Sequence, residues 1–191
     1  MIDVLTATER KERIFPLFSS HKGEEMEIRK EAVRSAQMLT EALREILKLT
    51  EAHINSLPKT GLMGNANETA KRKSVPRHYK FVEDLGGAFS KVAEQRGVLL
   101  TAAEKLDELS AKAEFEVLEE LSAAARLVFE LLGKIDETER VSGRFLGTLD
   151  RVSDVIGKGE NADFNSVARI CREYFEFITN TRVYIDNLKF F

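Results

Sequence analysis

The chain has 191 residues, 43% of them hydrophobic and 32% charged, with a formal net charge of −3. That length suits one domain or one elongated bundle with a real core. The near-neutral balance argues against a dedicated nucleic-acid binder, and the single cysteine, Cys171, excludes an internal disulfide framework.

Residues 1–23 read as an N-terminal arm. Charges interrupt MIDVLTATERKERIFPLF where a signal peptide needs its apolar run, so no secretion signal is seen and a cytoplasmic protein is expected. Proline occurs only at Pro16, Pro58 and Pro76. It removes an amide donor and clashes with the preceding turn, so each one is expected at or outside a helix end.

The first helix is expected over about 24–57. Ala36, Leu39, Leu43, Ile46, Thr50, His53 and Leu57 recur there at spacings of three and four, which puts them on one side of a helix. A polar, glycine-bearing basic loop over 58–78 follows. Next come helices over about 79–112 and 114–156, carrying the stripes Val82, Leu85, Phe89, Val92, Leu99 and Leu118, Leu121, Ala125, Val128, Leu132, Ile135. One helix through both would run about 117 Å at 1.5 Å per residue, so a turn is expected, preferably at the phase slip near 110–116; Gly97 is the competing position.

The fourth helix, over 163–189, is the most informative. Phe164, Val167, Cys171, Tyr174, Ile178, Thr181, Ile185 and Leu188 keep a strict three-four rhythm, the seam of coiled-coil-like packing. A second row, Ile170, Phe177, Tyr184 and Phe191, recurs every seven residues on another face. The fold class that follows is all-α: an elongated antiparallel helical bundle of about four long helices.

Chemical constellations are missing from the residue pattern. One cysteine cannot make a zinc pair, and none of His21, His53 and His78 completes the Glu-x-x-His of a di-metal bundle. His53, on the apolar stripe, reads as a packed histidine with one satisfied ring nitrogen. Cys171 reads as a buried, inert thiol. Gly86-Gly87 and Gly61–Gly64 lack the pattern and the preceding strand of a phosphate loop. No cofactor, metal or catalytic residue is expected.

Two surfaces stand out. Between Lys59 and Lys80 six Lys or Arg face Glu68 alone, a net of +5, while 81–139 holds fourteen acids and six bases, a net of −8. Lys71, Arg72, Lys73, Arg77 and Lys80 are therefore candidates for contact with an anion or acidic lipid, where each base adds about 1 kcal/mol. Ser74 is a candidate phosphorylation site beside them. Nucleic acid is the weaker partner, because the acidic body repels it. The other surface is the second row of the last helix, Ile170, Phe177, Tyr184 and Phe191: either it belongs to the bundle core, or it packs on the N-terminal arm or on a second protomer.

The leading functional expectation is a non-catalytic helical interaction module, an adaptor, regulator or assembly subunit, self-associating through its C-terminal helix. The alternative is a peripheral membrane protein resting residues 59–80 on anionic lipid. In the length of its helices that reading loosely resembles BAR-type modules, a likeness of architecture without a shared motif.

Overall fold

In the computed structural model the chain forms four helices, α1 (Ala7–Ser56), α2 (Glu68–Ser110), α3 (Phe115–Gly157) and α4 (Phe164–Asp186), with no strand among the described residues. The structure describes the backbone of residues 7–57, 68–111, 115–158 and 163–188, and the side chains of 23–57, 74–111, 118, 121–158 and 163–188. Two boundaries differ from the residue pattern. The first helix begins at Ala7 rather than near 24, so the expected arm is helical from Ala7 onward, through Pro16. The expected loop over 58–78 is helical from Glu68 onward, with Pro76 inside α2.

Pro76 is tolerated for a physical reason. It forfeits one amide, the donor to the carbonyl of Arg72, but it lies on the exposed side of α2, where water can take that carbonyl instead. The flanking Lys, Arg, Glu and Ala residues are good helix formers and continue the helix on both sides.

Cross-helix contacts set an up-down-up-down order. Lys91 pairs with Glu45 and Lys105 with Glu31, so α2 runs antiparallel to α1. Tyr79 donates to the carbonyl of Ser153 and Arg96 pairs with Asp136, so α3 runs antiparallel to α2. Ser142 bonds Tyr174 and Tyr184 reaches Glu130, so α4 runs back along α3. Inside, the Ser35 hydroxyl donates to Gln95 Oε1 at 2.8 Å, a buried bond that fixes the α1–α2 register because slippage leaves both groups dry and unpaired.

The fourth helix is shorter than the pattern of four long helices implies. At 1.5 Å per residue α4 spans about 35 Å, against about 65 Å for α2 and α3. Its last turn meets Thr40, bonded to Asp186 at 3.2 Å. Beyond that level, among the described residues, the core is closed by α1, α2 and α3. Alanine suits this arrangement: Ala32, Ala102 and Ala124 are buried there beside Ile28, Leu106 and Leu121, so little volume needs filling. The four-helix half is filled by larger groups, including Phe89, Phe145 and Tyr174.

Asp163 caps α4. Its carboxylate accepts from the amides of Asn165 (3.0 Å) and Ser166 (3.3 Å) and from the Ser166 hydroxyl (2.6 Å), which holds it below the usual carboxylate range. Asp163→Ala is expected to lower Tm by about 2–4 °C in thermal unfolding followed by circular dichroism. An unchanged Tm would mean the cap contributes nothing.

Candidate functional site

The second row of α4 is only partly outward. Ile170 and Phe177 pack against the core, and Phe177 lies 6.4 Å from the ring of Tyr174. Tyr184 is 41% exposed and rests on α3: Lys134 Nζ sits 4.6 Å over its ring, and its hydroxyl donates to Glu130 at 3.4 Å. The adjacent Val183 is exposed as well. Phe191 lies outside the described residues, as do the side chains of Ile14, Phe15, Leu17 and Phe18, on which this row was expected to pack.

The basic residues are carried by a helix and not by a loop. Their spacing puts Lys73, Arg77 and Lys80 in one row on α2, and Arg77 and Lys80 are exposed. The side chains of Lys71, Arg72 and Lys73 lie outside the described residues. Ser74, expected as a modification site, is buried, so a kinase could reach it only after α2 opens.

The helical frame brings together two residues that lie 25 positions apart. His53 near the end of α1 and His78 on α2 are 4% and 0% exposed. Nε2 of His53 lies 3.4 Å from Nδ1 of His78, and Nε2 of His78 lies 3.3 Å from the carbonyl oxygen of Leu149 on α3. Their tautomers follow by elimination. A carbonyl only accepts, so His78 Nε2 carries the proton and its Nδ1 accepts; the bridging proton then belongs to His53 Nε2. Phe81 stacks on His53 at 4.1 Å with the rings 10° apart. Both imidazoles are held neutral. Burial, with a smaller contribution from His78, brings His53 down to about 4 from its usual 6.5. Burial also lowers His78, against the opposing pull of the Leu149 carbonyl and Asp150.

This pair is a three-helix tie. Each available ring nitrogen of His78 is used inside the protein, and among the described residues no three His, Cys, Asp or Glu side chains gather in a way that could hold a metal ion. Sequence reasoning placed His53 on an apolar stripe and missed its partner. No local signal joins positions 53 and 78; only the antiparallel register does. Cys171 is wholly buried and its thiol is pushed up to about 12 by that burial, so it stays protonated and unreactive. Tyr174, also raised by burial, bonds Ser142 at 2.8 Å and stacks on Phe145 at 4.0 Å.

Comparison with family models, with curated proteins and with solved structures gives no match for this chain. No helix among the described residues is long and apolar enough to cross a membrane.

Proposed function

We propose that the chain is a non-catalytic helical interaction module, an adaptor, regulator or assembly subunit acting in the cytoplasm, that presents apolar side chains to a protein partner. One observation supports this reading above others. Large apolar groups stay outside a core that the four helices already close, among them Val183 and Tyr184 side by side near the end of α4. Tyr and aliphatic neighbours rimmed by charge, here Lys134 and Glu130, are the composition of a docking anchor with a polar rim.

The test is affinity purification of the intact chain beside a Val183→Ser/Tyr184→Ser variant. The expected result is a defined co-purifying protein, a further copy of the chain included, that the variant loses while its Tm changes little. Recovery of the same proteins by both would remove the proposed role of this surface.

A second reading has its own support. Arg77 and Lys80 are exposed in one row with Lys73, and Lys71 and Arg72 lie just N-terminal, a cationic start to α2 that suits anionic lipid. Co-sedimentation with phosphatidylserine vesicles across a salt series separates the readings. Binding that falls with salt and with neutralisation of these five residues would favour the membrane surface.

A further inference from the structure

The buried stripe of α2 changes character along its length. From Phe81 onward it is mostly apolar: Phe81, Leu85, Ala88, Val92, Leu99 and Ala102 are each at most 5% exposed. N-terminal to Phe81, the buried side chains of α2 among the described residues are Ser74 and His78, both polar. Apolar burial therefore holds the body of α2 in place, while its first turns depend on what His78 bonds.

Those bonds form a short relay across three helices. His53 Nε2 donates to His78 Nδ1 at 3.4 Å, and His78 Nε2 donates to the Leu149 carbonyl at 3.3 Å. A further bond of this stretch, from the Tyr79 hydroxyl to the Ser153 carbonyl, is exposed, so water can replace it at little cost. Pro76 lies inside the same stretch. It omits the amide that would bond the Arg72 carbonyl, so one rung of the helix is already missing there.

The closed relay has no good place for a further proton. Both ring nitrogens of His78 are used, and the nitrogen that remains is Nδ1 of His53, on a side chain 4% exposed. Among the described residues, the group of α2 that acts on His53 is His78, which disfavours its charge. From α3 the Asp150 carboxylate acts on His78 and favours a proton there, against the larger effect of burial. Among the described residues α1 and α4 add no charged group to either ring.

We propose that the His53–His78 relay is a proton-operated latch: protonation frees the start of α2, residues 68–80, from α1 and α3 while the bundle from Phe81 onward stays folded. The latch is a property of the fold and does not rest on the interaction-module reading. Its sign follows from the two states. Freeing the segment returns Nε2 of His53 and the whole of His78 to water, where a histidine binds its proton near 6.5, whereas the closed latch holds His53 down to about 4. Between those values the freed form is protonated and the closed form is not, so opening becomes more favourable as pH falls. From pH 7.5 to 5.5 His53 alone raises the opening constant on the order of tenfold. His78, lowered by burial, adds in the same direction, and Asp150 opposes it. Freed, the segment turns the buried Ser74 to solvent and carries the exposed Arg77 and Lys80 with it.

Thiol labelling tests it. Ser74→Cys, a nearly isosteric change, puts a thiol on the segment, and the buried Cys171 of α4 reports opening of the whole bundle in the same chain. Labelling by dithiodipyridine, which reacts with thiols in mildly acidic solution, is read at each site by mass spectrometry and divided by the rate of the urea-unfolded chain at the same pH. The introduced thiol is expected to label faster than Cys171 at every pH, and its normalised rate to rise on the order of tenfold from pH 7.5 to 5.5. His53→Leu combined with His78→Leu should remove most of that rise. Equal labelling of the two thiols overturns the proposal, because α2 would then open only with the whole bundle. A rate that ignores pH overturns it too, as does a rise that survives replacement of both histidines. If a variant fails to fold, hydrogen exchange of the wild type decides. After correction for the intrinsic effect of pH, amides of 68–80 should lose protection at pH 5.5 while those of 85–109 keep theirs, and a uniform loss overturns the latch.

Discussion

Lowering the pH from 7 to about 4 is expected to remove about 3 kcal/mol of stability through His53 alone. The sign follows from the two ends of the equilibrium. In the unfolded chain His53 binds its proton near 6.5; in the folded bundle, buried and facing neutral His78, it binds near 4. Above 6.5 neither state carries the proton, and the contribution is complete. Between 6.5 and 4 the unfolded chain is protonated and the folded one is not, so stability falls steadily across that window. His78 is shifted in the same direction by its burial and adds to the loss, while Asp150 on α3 pulls against it. Among the described residues the shift of His53 comes from burial first and from His78 second. A second proton on His78 Nδ1 would also oppose the donor from His53 and break the link between α1 and α2. Urea titrations at several pH values, compared between wild type and His53→Leu, measure the effect as a difference of slopes. Carboxylates contribute to both proteins and cancel. Parallel pH profiles for the two proteins would sink the idea.

Tyr174→Ala should cost about 5 kcal/mol, a large share of the 5–15 kcal/mol typical of a whole domain. Tyr174 stacks on Phe145 at 4.0 Å, meets Phe89 edge-on at 6.2 Å and bonds Ser142 at 2.8 Å, all in the four-helix half. Removing the ring leaves a cavity that rigid helices on every side cannot collapse, and it strands the buried Ser142 hydroxyl. Tyr174→Phe separates the two contributions: it keeps the ring contacts and loses only the hydroxyl, for about 1–2 kcal/mol. Urea unfolding of both variants gives the comparison. Equal costs would mean that the hydrogen bond, and not the ring, holds α4 to α3.

The α4 pattern was highly legible. Phe164, Val167, Cys171, Tyr174, Ile178, Thr181 and Ile185, the three-four row, are the buried residues of that helix. The turn near 110–116 was legible too, since α2 ends at Ser110 and α3 begins at Phe115. A phase slip there must end one helix, because a stripe that changes side cannot stay buried against one neighbour. Pro76 and Pro16 misled. Proline's penalty is local, about one hydrogen bond and one clash, and long helix-forming flanks outweigh it. The row Ile170, Phe177 and Tyr184 left core and interface open; Phe177 packs inward beside Tyr174, because α4 lies between α1 and α3 and is covered over more than one stripe.

What the residues determine by themselves is one-dimensional: which segments are helical, which side of each is apolar, and the lack of a local motif for chemistry. Periodicity carries this information, since it depends only on spacing along one chain. The pairing of His53 with His78 and the closing of the Ile28 end of the described core by α1, α2 and α3 were decided only by the tertiary structure. They depend on how far one helix slides along another, and that register is set by contacts such as Ser35 with Gln95 and Arg96 with Asp136, whose partners lie 60 and 40 residues apart.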